Sequence, residues 1–395
     1  MRKMLSGLIT ASVLLAAPGL VQARRAPDVT DSTRYAVEGV GLADSYAYMR
    51  IKYGKFDANH LDLYLPKVRK FDRTPIVIYV HSGGWIDGEE DEVEYAGFIT
   101  AQLSRGWAVA TADFRLAKAP VVNSEGVVVR AVNPFPAQIR DIKRAIRFVK
   151  GYSDGCMVWA DSTWEVKLGL PTCLRERSLD LDKNTVVMAG FSAGAHLSML
   201  AATSCHLDTS GTHCRPFFEP RLSALNALDA PLIDEDSRPA AAVSVAAVMN
   251  MAAASHQGLL LLPIRWLLGC GGLDQPCDYA TLRDYAPTKY LDPTDPPIYF
   301  AYGPRDALLP ESIHADPYIP KYESVMSPGR FWADRMDGPA GLWLDLQPSN
   351  CFGCEPGDGV PEYYTTGGHD TTFINADAVR NFLEKIRTGA LTPLG

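Results

Sequence analysis

The rhythm of hydrophobic and polar positions changes several times along this chain. His60-Leu61-Asp62-Leu63-Tyr64-Leu65 alternates with period two, which predicts a half-buried antiparallel strand. Pro75 to Val80 and Trp107 to Ala112 are instead continuous apolar runs, the pattern of strands covered on both faces. Similar runs recur at Thr185 to Ala189, Ala241 to Val248 and Pro297 to Ala301. Helical spacing lies between them. Ile139, Ile142, Ile146 and Val149 fall on one helix face behind Pro136, a helix-like stretch runs from Ala195 to Thr203, and Val379, Phe382, Leu383 and Ile386 mark a last helix. Strands and helices in alternation predict an α/β fold, a mostly parallel sheet flanked by helices in one domain.

Four segments break this periodicity, near 151–181, 205–238, 255–296 and 308–366, and together they contain all eight cysteines. They read as loop insertions forming a cap on the common core, cross-linked because they bury little surface alone. Sequence proximity favours pairing Cys156 with Cys173, Cys205 with Cys214, Cys270 with Cys277 and Cys351 with Cys354. Cys351-Phe352-Gly353-Cys354 also fits a redox pair or half a zinc site, but no second close CxxC accompanies it, and the structural reading is preferred.

Residues 1–23 have the form of an export signal: Arg2 and Lys3, an apolar stretch from Met4 to Ala17, and a small-residue Val21-Gln22-Ala23 end. The expected mature domain is therefore 24–395, secreted or periplasmic. A second uncharged stretch, Pro239 to Ile264, is interrupted by Asn250 and Ser255-His256-Gln257-Gly258, so no stable membrane anchor is expected.

With 47% hydrophobic and 21% charged residues, the chain is a globular one. Its net charge of −8, with acids and bases interspersed, argues against a nucleic-acid partner. Glu89-Glu90-Asp91-Glu92 could bind calcium, but it reads better as solvated acids at a helix start.

Chemistry concentrates in two places. Gly190-Phe191-Ser192-Ala193-Gly194 follows a buried strand and precedes a helix, where flanking glycines permit a sharp turn that lifts a serine hydroxyl above the sheet. His81-Ser82-Gly83-Gly84-Trp85 follows another strand. Its paired glycines could turn backbone N–H groups of Gly83 and Gly84, with that of Ala193, toward a substrate oxygen as an oxyanion hole. His81 fits a role in holding this loop by hydrogen bonding to nearby backbone.

These stretches resemble the HGGGW-type and GxSAG motifs of the hormone-sensitive-lipase-like group of secreted carboxylesterases, members of the α/β-hydrolase fold. Asp113-Phe114-Arg115-Leu116-Ala117, Phe135-Pro136-Ala137 with Asp141, and Leu181-Asp182 resemble further pieces of that pattern. Ser82 stands where the family usually has a glycine, and Ala195 where a further glycine is common.

The resemblance implies a metal-free and cofactor-free serine esterase with the order Ser, Asp, His. The implied triad is Ser192, Asp306 after the run ending at Ala301, and His369 before the last helix. Asp274 and Asp295 are rivals for the acid, and His256 and His314 for the base. The expected substrate is a small-molecule or polymer-linked ester. Amide chemistry on the same triad, by an exopeptidase or arylformamidase, and a non-catalytic binding module remain alternatives. Trp85 is a candidate substrate-binding residue. The leucines of 259–262 with Trp266, Leu267 and Leu268 could either wall an apolar pocket or form core beneath a cap.

Overall fold

The computed structural model describes residues 45–90, 96–204, 218–223, 226–256, 258–270, 277–303, 306, 308–327, 330–335 and 377–391. The expected export signal, Asp274, His369, and Cys205, Cys214, Cys351 and Cys354 lie outside these residues.

Eight strands form the central sheet and four more form two hairpins. In chain order they are β1 (Ser45–Lys52), β2 (His60–Pro66), β3 (Thr74–Val80), β4 (Ala108–Ala112), β5 (Lys118–Val122), β6 (Val128–Val132), β7 (Cys156–Ala160), β8 (Thr163–Lys167), β9 (Leu181–Phe191), β10 (Ala241–Val245), β11 (Ile298–Tyr302) and β12 (Phe331–Arg335). The sheet order is β1-β2-β4-β3-β9-β10-β11-β12. The β1–β2 and β2–β4 pairs are antiparallel, and from β4 to β12 every pairing is parallel.

The helices are α1 (Ala96–Leu103), α2 (Ala137–Gly151), α3 (Ala193–Thr203), α4 (Met251–Ala254), α5 (Gly258–Leu267), α6 (Glu311–His314), α7 (Ile319–Val325) and α8 (Asp377–Arg387). The continuous apolar runs do form the central parallel strands. Ile76, Val77, Ile78, Val80 and Val186 to Ala189 are wholly buried, because helices cover both faces. The last helix buries Val379, Phe382, Leu383 and Ile386 as its spacing predicts.

Two readings change. β2 is antiparallel as expected but buried along its whole length, not on one face. It lies between β1 and β4, and its polar Asp62 accepts the Arg50 backbone N–H on Oδ1 (2.6 Å). The hairpin β5–β6 was not anticipated. Its turn is built by Asn123, whose side chain accepts from the N–H groups of Glu125 and Val127, with Gly126 at φ +77°.

Insertion 151–181 contains the hairpin β7–β8 and the expected bridge Cys156–Cys173; Cys270–Cys277 closes a second loop as expected. The described part of 205–238 is held differently. Lys143 (3.2 Å) and Arg147 (2.6 Å) on α2 pair with Glu219, and Arg144 pairs with Asp229. Burial alone would raise the Glu219 carboxyl, but Lys143 and Arg147 bring it below the ordinary carboxylate range.

Candidate active site

The C-terminal edge of the parallel strands is where connecting loops can gather without interrupting the sheet. Phe191 at the end of β9 lies level with Val245 of β10, which lies level with Ala301 of β11. Backbone bonds continue past the strands. The Ser192 N–H donates to the Val245 carbonyl (3.0 Å), and the Ala246 N–H to the Ala301 carbonyl (2.8 Å).

Ser192 occupies the single-residue bend between β9 and α3, with φ +53° and ψ −114°. Such a conformation costs a non-glycine residue about 1–3 kcal/mol and persists only where surrounding packing imposes it. The flanking glycines show what imposes it. A Cβ at Gly190 would collide with the Gly194 backbone, and one at Gly194 with the carbonyl oxygens of Val80 and His81. The bend therefore nests directly against the start of the 81–85 loop. It also places Ser192 at the N-terminal end of an 11-residue helix, where the macrodipole favours developing negative charge.

The facing loop has three successive left-handed residues, Gly83 (φ +83°), Gly84 (φ +58°) and Trp85 (φ +65°). The Gly83 carbonyl accepts from the N–H groups of Ile86 (3.1 Å) and Asp87 (3.0 Å). Among the described residues, the N–H groups of Gly83 and Gly84 are given to no backbone carbonyl. A Cβ on Gly84 would reach van der Waals contact with Pro263 of α5, so that helix lies against this loop. Leu260, Ile264 and Leu267 of that helix are core residues, whereas Leu262 is exposed.

Trp85 differs from its expected role. Its side chain is fully buried, edge-on to the His196 ring at 5.3 Å, and its carbonyl accepts from the Ala117 N–H (2.9 Å). It supports the loop from within, and a surface that substrate touches would have to be accessible. His196, passed over in the sequence, donates from Nε2 to the Tyr285 carbonyl (2.7 Å), and burial lowers its pKa to about 4.

The pentapeptide Asp113–Ala117 explains its own pattern. Phe114 stacks on His81 (4.3 Å, 8° between planes), Arg115 grips Asp141 through Nε (2.7 Å) and a terminal nitrogen (2.8 Å), and Ala117 holds Trp85. His81 Nδ1 lies 3.0 Å from the Ser82 carbonyl, matching the loop-holding role expected of it.

The rivals for the acid and the base separate by position. Asp306 follows the C-terminal end of β11, on the same edge as Ser192, and its Oδ1 accepts from the N–H groups of Leu308 (2.9 Å) and Leu309 (2.7 Å). Asp295 precedes the N-terminal end of β11, on the opposite edge, so it is too remote to serve Ser192. His256 is exposed on the surface. His314 is buried, and its Nδ1 accepts the Asn250 N–H (3.3 Å), which commits that nitrogen to the loop after β10.

Glu90 departs from the reading of solvated acids. It is buried, 3.0 Å from an Arg50 guanidinium nitrogen and 3.3 Å from His60 Nδ1, while His60 Nε2 is 3.3 Å from Asp113. Burial alone would raise the Glu90 carboxyl, but hydrogen bonds with His60 and Asp113 bring it down to about 2. Burial and the neighbouring Glu90 charge push Asp113 up to about 10, so of the two Glu90 keeps the charge and Asp113 the proton. The sheet register, with Leu61 opposite Ala112, is what makes His60 and Asp113 meet. A β-bulge in β1 aims Arg50 at the same group. No single-sequence pattern announces either.

The family model described as BD-FAE matches residues 61–157 and 174–314. Esterase LipC of Mycobacterium tuberculosis is 26% identical over 157 residues, 40% of this chain and 30% of LipC. The probable carboxylic ester hydrolase LipM of the same organism is 24% identical over 267 residues, 66% of this chain and 48% of LipM. The chain thus spans less than half the length of either relative. Among solved structures, a truncated carbohydrate esterase from gut microbiota superposes with a TM-score of 0.56 at 18% identity, covering 90% of this chain and 99% of that one. Esterase B from Lactobacillus rhamnosis superposes with a TM-score of 0.53 at 16% identity, covering 88% and 90%. These likenesses, with the sheet order, show the α/β-hydrolase fold.

Proposed function

The chain belongs to the BD-FAE family of hormone-sensitive-lipase-like esterases, and on that premise we propose that it hydrolyses carboxylic esters through an acyl-enzyme on Ser192. The observation that carries this reading is the strained bend at Ser192, wedged between two glycines that admit no side chain and packed against the start of the 81–85 loop. A serine hydroxyl is a weak nucleophile, so the reaction needs a base and a set of oxyanion donors.

In this mechanism His369 takes the Ser192 proton as Oγ attacks the ester carbonyl. The N–H groups of Gly83, Gly84 and Ala193 hold the oxyanion, and His369 then protonates the departing alcohol. Water repeats the sequence on the acyl-enzyme and releases the acid. Asp306 orients the imidazole and stabilises its charged form; its position on the Ser192 edge, with two backbone N–H groups on one oxygen, supports this assignment over Asp295. Trp85 supports the loop rather than the substrate.

Substrates in this reading are small or polymer-linked esters. Residues 1–23 direct export, which fits the two disulfides among the described residues; no helix among those residues is long and apolar enough to cross a membrane. The test is a panel of chromogenic esters graded by acyl length beside an aryl amide, run on the wild type and Ser192→Ala. Ester turnover that vanishes in Ser192→Ala supports the proposal. Faster amide turnover would move the activity to amide hydrolysis, and unchanged ester turnover in Ser192→Ala would end the serine mechanism.

A further inference from the structure

The group formed by Arg50, His60, Glu90 and Asp113 has no part in the mechanism above, yet it lies directly behind the loop that supplies the oxyanion donors. The connection runs through His81. Its Nδ1 is 3.0 Å from the Ser82 carbonyl, and because a carbonyl oxygen only accepts, Nδ1 carries a hydrogen. The Ser82–Gly83 peptide is planar and trans, so its N–H points opposite to its C=O. A Ser82 oxygen held against the His81 ring therefore sends the Gly83 N–H away from that ring.

The His81 ring could be rotated by a half turn about its Cβ–Cγ bond, which would present a C–H to the Ser82 oxygen and abolish the bond. The Phe114 stack does not discriminate between these two states, since the half turn leaves the ring plane where it is and the two faces of an imidazole stack alike. A polar group at the ring's far edge does, and Asp113 is one: its Oδ1 is 3.8 Å from Nε2, an electrostatic contact longer than a hydrogen bond.

Asp113 is itself fixed from two sides. Its N–H donates to the His60 carbonyl (3.1 Å), and its Oδ2 faces His60 Nε2 (3.3 Å). An Arg50 guanidinium nitrogen lies 2.7 Å from that same ring nitrogen, and another lies 3.0 Å from Glu90.

We propose that Asp113, braced by His60 and Glu90, is a positioning residue that sets the His81 ring orientation and through it aims the Gly83 N–H at the substrate oxyanion. The inference rests on the reading of Ser192 and Gly83 in the section above. It adds that the brace acts on the transition state alone, since the oxyanion exists only there.

The test compares Asp113→Leu with Asp113→Asn, and His81→Gln with His81→Asn, for kcat, KM and affinity for a trifluoromethyl ketone whose hydrate mimics the oxyanion. An asparagine amide nitrogen falls where Nδ1 stands, whereas a glutamine amide nitrogen falls near Nε2. Asp113→Leu and His81→Gln should lose about 10²-fold in kcat, near the lower end for a lost oxyanion donor, with KM within about twofold. Ketone affinity should fall with kcat. Asp113→Asn and His81→Asn should recover at least about tenfold of the loss, because the first keeps a polar group facing Nε2 and the second a donor where Nδ1 stands. Equal kcat for His81→Gln and His81→Asn would overturn the proposal, and this pair decides the matter if Asp113→Leu does not fold. Labelling of wild-type Ser192 by an alkyl phosphonate ester keeps the two readings apart. No adduct means the serine mechanism has failed; an adduct with wild-type kcat in Asp113→Leu means only the positioning role has.

Discussion

Asp295 and Asp306 bracket one five-residue strand, β11, and the contrast between them separates the two edges of the sheet. Both carboxylates are buried and both accept backbone hydrogen bonds, Asp295 from the Asp292 N–H (2.9 Å) and Asp306 from Leu308 and Leu309. What differs is which end of the strand they occupy. Asp306 shares its edge with Ser192 and the 81–85 loop. Asp295 sits on the other, where burial raises its pKa to about 8 and Arg330 donates to its backbone carbonyl (3.3 Å). A carboxyl on the packing edge can stay protonated and contribute to folding, whereas one on the chemical edge must carry charge to be useful to a histidine. Strand direction, more than burial, separates the proposed acid Asp306 from Asp295.

Perturbing the two edges should therefore give opposite signatures. The largest effect belongs to Ser192→Ala, expected to lower kcat by on the order of 10⁶ while leaving the thermal midpoint in place. Next comes Asp306→Asn, which should cost up to about 10⁴ in single-turnover acylation by favouring the wrong imidazole tautomer. Asp295→Asn should leave acylation unchanged and act on stability. Because the folded pKa of Asp295 is raised, its contribution is complete below the ordinary carboxylate pKa and is lost as pH rises through about 8. The asparagine variant should lose less stability than the wild type between pH 4 and 8, measured by denaturant titration at several pH values. A collapse of acylation in Asp295→Asn with activity retained in Asp306→Asn would reverse the assignment of the edges.

His196 titrates in the other direction. Its folded pKa lies near 4, below the ordinary histidine value, so its stabilising contribution is present above about pH 6.5 and lost as pH falls toward 4, worth about 3 kcal/mol. His196→Gln keeps a donor for the Tyr285 carbonyl and should flatten that acid limb. The smallest effect is expected at the β7–β8 hairpin, which leads into the N-terminal end of β9, away from Ser192: replacing Cys156 and Cys173 by serine should cost about 2–3 kcal/mol of stability, with kcat unchanged, since the bridge closes only a short loop.

Much of the chemical edge could be read in the sequence because its constraints are local. Gly190 and Gly194 flank Ser192 for a steric reason that any sequence with this bend must meet, and the apolar runs Pro75–Val80 and Thr185–Ala189 name the strands that carry the two loops. What escaped was set by register and packing. Glu90 looked like one of several solvated acids, and only the β2–β4 pairing brings His60 and Asp113 beside it. Trp85 looked like a pocket wall because it adjoins the glycines, but its left-handed backbone turns the ring inward against His196. The hairpin β5–β6 was missed because its valines alternate too weakly around Asn123 and Gly126 to stand out from loop.

The proposed chemistry depends above all on Ser192 as the nucleophile. Incubation with a p-nitrophenyl alkyl phosphonate, followed by peptide mass mapping, tests it directly. One stoichiometric adduct should appear on the peptide containing Ser192, in step with loss of esterase activity, and should be absent from Ser192→Ala. Inactivation with the adduct on another residue, or full inactivation of a Ser192→Ala protein that still hydrolyses esters, would contradict the account.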